Sequence, residues 1–355
     1  MTGMTVLMAA RAYSPMSADP MQIIHIDHRN VELEAQGRKI VARSAGVRKA
    51  TVPMRLVERL VITSSAKISA TLMLKLNEQR TGVLILPSRY RGGRPLHIAE
   101  AATDAELVRA QILTAGSPGG FALALQFVRM KLSAQILLLQ ELEACYGAKR
   151  RLLKEACQQL QRARGQLDLP DLGLKGDMDR LRGIEGAASA RFFKAWGQCF
   201  APALKFNTRN RRPPMDPVNV CLSIGYTLAH HEALIAACTR GLAPHVGFLH
   251  DPRANRDSLA CDIVEAVRPV IDRWVLQLFR AKTLRPEHFS TTPGGCLLGK
   301  AGRKLVYADY FENTAHKVAR VCASQAGWIR HELGSKANPP LDPAPSQLVT
   351  LDDRK

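Results

Sequence analysis

The sequence predicts an α+β chain: a small β-rich domain over residues 21–95, a linker at 96–103, and a larger all-α domain over 104–334. Three observations predict it. Up to residue 95, short apolar runs alternate with polar residues and end at turn formers, the pattern of half-buried strands. Beyond residue 104, apolar residues recur at three- and four-residue steps over long segments, the pattern of helices with one buried stripe. At 355 residues, 46% of them hydrophobic, the chain has the length and the apolar content for two cores.

Taken in order, residues 1–20 carry an apolar patch without the basic start, longer apolar run or cleavage site of a leader, and read as a disordered extension, with folding beginning near Met21. Residues 23–43 alternate around a turn at Gln36-Gly37. Short strands are expected at 50–52, 59–62 and 83–87, with a helix at 69–79 between them. The domain ends on a basic stretch, Arg89, Arg91 and Arg94 around Gly92 and Gly93. The first long helix is expected at 121–146, where Leu123, Leu125, Val128, Leu132, Ile136, Leu139 and Leu142 run down to Gly147. A strongly basic helix follows at 148–165, read equally well as a solvated face or a DNA contact. Further helices are expected at 184–197, 217–240 and 258–280, the last broken or kinked by Pro269. The tail, 335–355, holds four prolines among polar residues and reads as disordered.

Fifty Lys and Arg against 31 Asp and Glu leave a formal charge of +19, which calls for a polyanionic partner such as nucleic acid. Aromatics are only 5% of residues, so contact to phosphates is favoured over a base-stacking platform. The eight cysteines are scattered singly within apolar, helix-like segments, as reduced structural thiols are, and imply a cytoplasmic protein without disulfides or a thiolate zinc site. No uninterrupted apolar stretch reaches membrane-spanning length, so no membrane partner is expected.

Asp262 and Glu265 stand three residues apart, so a helix puts both carboxylates on one face, as sharing an ion requires. Ser258 or Asp257 caps that helix, and a surface pair between Glu265 and Arg268 is the plainer reading of the acid. His250 leaves the apolar run Val246-Gly247-Phe248-Leu249 for a polar loop, 12 residues before Asp262, and can fold back onto the acids. Glu185 lies between Gly183 and Gly186 at the expected start of a helix, where glycines admit a second backbone and an acid suits the helix dipole. Arg209, Arg211 and Arg212 crowd a loop stiffened by Pro213 and Pro214, a form suited to phosphate recognition, with a solvated turn as the rival and a core-facing arginine not expected. Acids and a histidine among basic stretches are the means of holding a divalent ion against a phosphate.

The order G-x-E-G-x-x-x-A, N-R-x-P-x-x-D-P-x-N, G-F-L-H and S-L-x-x-D-x-x-E resembles the CRISPR-associated integrase family (Cas-one), the catalytic subunit of the spacer-acquisition complex. The resemblance spans residues 21–325 and is strongest over 183–268. It implies a β-sandwich-like first domain, an all-helical catalytic domain, a symmetric homodimer, and a small dimeric partner subunit (Cas-two). It further implies Mg²⁺ or Mn²⁺ held by Glu185, His250 and Glu265, with Asp262 supporting them or binding in their place. His250 as general base is the alternative. The implied reaction joins the 3′-hydroxyl of captured double-stranded DNA to a phosphodiester at the edge of a repeat array. A nuclease for branched DNA, a transposon-type integrase and a non-catalytic DNA-binding scaffold are the alternatives.

Overall fold

The structure is a computed structural model describing residues 6–7, 22–27, 29–79, 81–86, 96–98, 104–169, 178–210, 213–254 and 256–334. Its first part is two sheets built from strands β1 (Val6–Leu7), β2 (Gln22–Ile26), β3 (Val31–Gln36), β4 (Lys39–Ser44), β5 (Val47–Pro53), β6 (Val57–Ile62), β7 (Ala66–Ile68), β8 (Gly82–Ile85) and β9 (Leu96–Ile98), with helix α1 (Ala70–Glu78) between β7 and β8. One sheet has the order β1-β2-β6-β8-β9 and the other β5-β4-β3-β7.

In the second sheet β3, β4 and β5 form a meander whose turns explain its register, and β7 adds parallel to β3. Gly37 (φ 57°) turns β3 into β4 at the expected place, and Ala45 and Gly46 (φ 50° and 75°) turn β4 into β5. Two consecutive left-handed residues match the twist of a tight hairpin. Along β3, Val31 and Leu33 face inward while Glu32 and Glu34 face water, where Glu34 meets Arg43 at 2.8 Å and Glu32 meets Lys67 at 3.1 Å.

The first sheet differs because both of its faces are covered. Ile24, Ile26, Leu60, Ile62 and Val83 pack on Leu33, Ile40, Ala42 and Val52 of the facing sheet, with Leu72 and Leu76 of α1 closing the core. The alternate residues Ile23, Val61 and Leu84 enter the core of the helical part. This is why parallel strands β2, β6 and β8 read as nearly unbroken apolar runs. The two parts are also joined by polar contacts. Arg59 on β6 pairs with Glu232 across the junction, Nη2 to Oε2 at 2.9 Å, both side chains buried. His25 stacks 4.6 Å from the Tyr307 ring, and burial lowers its pKa to about 4, so it is neutral at pH 7.

The helical part contains α2 (Ala105–Ala115), α3 (Pro118–Cys145), α4 (Arg150–Gln166), α5 (Met178–Gly197), α6 (Pro217–Thr239), α7 (Ser258–Arg280), α8 (Lys300–Asn313) and α9 (Ala315–Gly334). Between α7 and α8 a hairpin, β10 (Phe289–Thr292) and β11 (Gly295–Leu298), interrupts the expected all-α composition. Its Cys296 amide donates to the Pro214 carbonyl at 2.8 Å, so the hairpin props the proline-stiffened loop. Helix α3 begins where Ser117 Oγ accepts from the Gly119 and Gly120 amides and Pro118 sets the first turn. By length and composition α3 is apolar enough to cross a bilayer, but it packs here on α4, α5 and α7 and carries Lys131 and Gln135 on its buried side.

Several boundaries differ from expectation. Pro269 does not end α7, which continues through it as a helix. Val6–Leu7 of the expected extension pairs with Ile23 and Ile24, and Leu96–Ile98 of the expected linker pairs with β8; backbone groups at a sheet edge, unlike side-chain periodicity, recruit short strands. The rest of residues 1–20, Arg89, Arg91 and Arg94, and the tail from 335 lie outside the described residues. All eight cysteines are free, and burial raises the Cys157, Cys199, Cys221, Cys238, Cys261, Cys296 and Cys322 thiols, consistent with inert packing roles.

Candidate active site

Helix α7 carries the acid pair. Asp262 is fully buried and accepts four hydrogen bonds: from the backbone amides of Phe248 (2.6 Å), Leu249 (3.1 Å) and His250 (3.0 Å), and from the His250 ring through Nδ1 (2.7 Å). Its carboxyl therefore shapes the Gly247–His250 turn and aims the imidazole, the geometry of a supporting, positioning role. With Nδ1–H committed to Asp262, His250 keeps Nε2 as the acceptor. Burial raises the Asp262 pKa, opposed by the His250 hydrogen bond and the amides.

The turn is braced from outside. A Cβ on Gly247 would meet the His250 carbonyl at 2.7 Å and Asp262 Oδ2 at 2.9 Å, which explains the glycine of G-F-L-H. Arg182 of α5 donates to the Leu249 carbonyl at 2.8 Å and pairs with Asp251. Gln111 of α2 donates to the Val246 carbonyl at 2.6 Å and accepts from the Ala243 amide at 2.9 Å. Ser258 donates to the Asp251 carbonyl at 2.9 Å instead of capping α7; Asp257 occupies the cap position, and its carboxylate meets His245 at 2.9 Å.

Replacing Asp262 by Asn leaves one acceptor oxygen for four donors. An unsatisfied buried donor costs about 1–3 kcal/mol, and losing a residue that orients a ligand costs about 10–100-fold in activity or metal affinity. Urea denaturation should register the loss, and a variant as stable as wild type would refute the positioning role.

Glu265 lies one turn beyond Asp262, with a 5% exposed side chain. Its Oε1 forms an ion pair with Arg268, 2.9 Å from Nε, and its Oε2 faces Lys131 Nζ at 2.6 Å. The Glu265–Arg268 pair expected at the surface exists but is buried. Burial alone would raise the Glu265 pKa; Arg268 and then Lys131 outweigh it and hold the carboxylate below its usual range, so it is charged.

Glu185 arrives from α5. It stands inside that helix, which begins at Met178, so it is not a first-turn acid, and among the described residues no second backbone lies within 4 Å of a Cβ at Gly183 or Gly186. Glu185 Oε1 accepts from Ser189 Oγ at 2.8 Å and pairs with the same Lys131 ammonium that Glu265 holds. One buried cation thus ties together two of the three expected ligands. The ammonium stands in for a cation between Glu185 and Glu265, and two carboxylates are the donor type a hard divalent ion takes, while His250 reaches Glu265 through its charge. Among the described residues no three His, Cys, Asp or Glu side chains stand at metal-holding spacing; Lys131 holds the space between the two glutamates.

Lys131 was not anticipated from sequence. The signal was a lysine at a core position of α3, in step with the buried Phe127, Val128, Leu132, Gln135, Leu138, Leu139 and Leu142. Behind Glu265 a second unanticipated cluster continues the polar interior. Arg268 lies 4.5 Å over the Tyr226 ring, and the buried Tyr226 phenol donates to Asp272, whose pKa is pushed up to about 7 by burial.

In the N-R-x-P-x-x-D-P-x-N region, the structure describes Arg209 alone of the three expected arginines. Arg209 turns inward, donating to Asn219 Oδ1 at 2.8 Å and Ser223 Oγ at 3.1 Å, with its guanidinium 5.4 Å from the Tyr226 ring. It is thus a half-buried, inward-facing arginine, contrary to expectation, because Asn219 and Ser223 on one face of α6 offer it acceptors. Asp216 caps α6 by accepting from the Asn219 amide at 2.9 Å, and Asn210 Oδ1 accepts from Met215 at 2.8 Å. Arg211 and Arg212 lie outside the described residues.

With this geometry in place, the comparisons with known proteins are specific. Residues 24–312 match the family CRISPR associated protein Cas1. A CRISPR-associated endonuclease Cas1 of Thermodesulfovibrio yellowstonii is 34% identical over 298 residues, 82% of this chain and 90% of that protein. A CAS1 protein from Thermotoga maritima superposes with a TM-score of 0.76 at 18% identity, covering 91% of this chain and 100% of the other. A casposase bound to its integration product superposes with a TM-score of 0.72 at 17% identity, covering 91% and 93%. These likenesses extend along both the β and the helical parts, and together with the four motifs they establish that the chain belongs to the Cas1 family.

Proposed function

We propose that this chain is a divalent-metal-dependent DNA integrase of CRISPR adaptation. The observation that carries the reading is the convergence of Glu185 and Glu265 on one buried cation, with Glu265 on the same helix face as the Asp262 that aims the His250 ring. The Thermodesulfovibrio relative is named an endonuclease, and the casposase of the same fold is held on an integration product, which agrees with phosphodiester chemistry.

Glu185, Glu265 and His250 would hold Mg²⁺ or Mn²⁺, which when bound polarises the scissile phosphate and stabilises charge on its oxygens. Asp262 keeps His250 in the tautomer with Nε2 free. Arg268 remains on Glu265 Oε1 and fixes the orientation of that carboxylate, leaving Oε2 toward Glu185. In the exchange, the 3′-oxygen of captured DNA bonds to phosphorus at the repeat edge as the existing P–O bond breaks. The hydroxyl proton passes to solvent and the departing oxygen takes one up; one phosphodiester replaces another, so no external energy source is needed. The surplus charge of +19 supplies the phosphate-binding field, with Arg211 and Arg212 on the loop that Arg209 anchors. A homodimer working with a small dimeric Cas-two subunit completes the proposed assembly.

The test is a joining assay with labelled DNA, a repeat-containing target and the small dimeric subunit. Joined product is expected with Mg²⁺ or Mn²⁺ and none with chelator or with His250→Ala. Metal-dependent fragments without joined product would replace the integrase by a nuclease, and activity indifferent to chelator would remove the metal from the reading.

A further inference from the structure

Lys131 is the one member of the glutamate cluster that no requirement of phosphodiester chemistry calls for. Its side chain is 6% exposed, on a core position of α3, and its ammonium pairs with Glu185 Oε1 and with Glu265 Oε2 at 2.6 Å. The oxygens are divided in an informative way. Glu265 Oε1 belongs to Arg268, whereas Oε2 faces only the lysine among the ion pairs described, so the oxygen that faces Glu185 is the one the ammonium covers. A buried pair of carboxylates repels itself unless a cation stands between its members, and a divalent ion held by both cannot share that space with an ammonium.

We propose that Lys131 is a built-in counter-cation that holds Glu185 and Glu265 together before metal arrives and has to withdraw for a divalent ion to bind between them. Metal affinity at this site is then set by a competition inside the protein, and the metal-free form is kept assembled and closed to stray cations. Withdrawal leaves Glu265 still paired through Oε1 with Arg268, so only the contested oxygen changes partner. The same polar interior holds a further unpartnered acceptor, the buried Asp272 Oδ2 two turns along α7 from Glu265. This role rests on the metal-binding reading above.

The test uses the full chain, Lys131→Met, and Mn²⁺ alone as probe, followed by the electron paramagnetic resonance of free Mn²⁺ and by thermal melting. The variant is expected to bind Mn²⁺ at least about tenfold more tightly than wild type, a change of about 1.4 kcal/mol. Its metal-free Tm should be lower than that of wild type, with the gap closing as Mn²⁺ saturates both. Equal or weaker Mn²⁺ affinity in the variant overturns the competition while leaving the metal site standing. Mn²⁺ binding to neither protein overturns both. Should Lys131→Met fail to fold, reductive methylation of wild type decides: Lys131 is expected to be protected without metal and labelled with Mn²⁺, and labelling unaffected by Mn²⁺ overturns the proposal.

Discussion

Glu265→Gln is expected to reduce strand joining on the order of 10³-fold, because a hard ion contributes several kcal/mol of charge stabilisation and about 1.4 kcal/mol is tenfold in rate. It should also destabilise the fold, and this second effect separates it from other site variants. Glu265 is the shared counterion of Lys131 and Arg268, its side chain 5% exposed; glutamine keeps the shape but strands two buried cations. Removing one partner of a buried pair costs about 3–5 kcal/mol. Glu185→Gln serves as the comparison, since Glu185 is 24% exposed and water takes up part of the loss. Joining should fall equally in both variants, while urea denaturation shows the larger cost for Glu265. Equal stability costs would mean that the Lys131–Glu265–Arg268 contacts do not hold the interior together, and normal joining by either variant would end the case for the site.

Arg59→Met is expected to be the most damaging change far from the site. Arg59 and Glu232 are 5% and 3% exposed, and together they bridge strand β6 to helix α6. The single variant leaves a carboxylate sealed between sheet and helices, a loss of about 3–5 kcal/mol. In the double variant Arg59→Met/Glu232→Leu no charge is left unpaired, so much of that stability should return. Calorimetry of the four proteins measures the coupling, and simple additivity of the two single changes would show that the pair acts independently.

Much of this was legible in the sequence, for identifiable reasons. Alternation revealed β3 and β4 because one face of that sheet meets water, and three- and four-residue spacing revealed α3, α6 and α7 because each buries an apolar stripe. The motifs carrying Glu185, His250, Asp262 and Glu265 were readable because their spacing is local. What escaped was set by partners distant in sequence. Lys131 looks like an ordinary lysine until α3 is packed on α5 and α7, and the inward turn of Arg209 cannot be read until Asn219 and Ser223 line up on α6. The strands at Val6–Leu7 and Leu96–Ile98 are too short to show a period and exist because the sheet edges offer them hydrogen bonds. The glycines flanking Glu185 were over-read: nothing approaches them, and they sit inside a continuous helix.

The three-way contact among Lys131, Glu185 and Glu265 also has a bearing on the order of assembly. Its members are separated by 54 residues on one side and belong to three different helices, so no neighbouring segments can form it by themselves. Non-local contacts of this kind arise late, after the long intervening loops have closed. This charge triad is therefore an all-or-none property of the finished bundle: a fragment missing α3, α5 or α7 lacks one of its members, whatever local structure it retains.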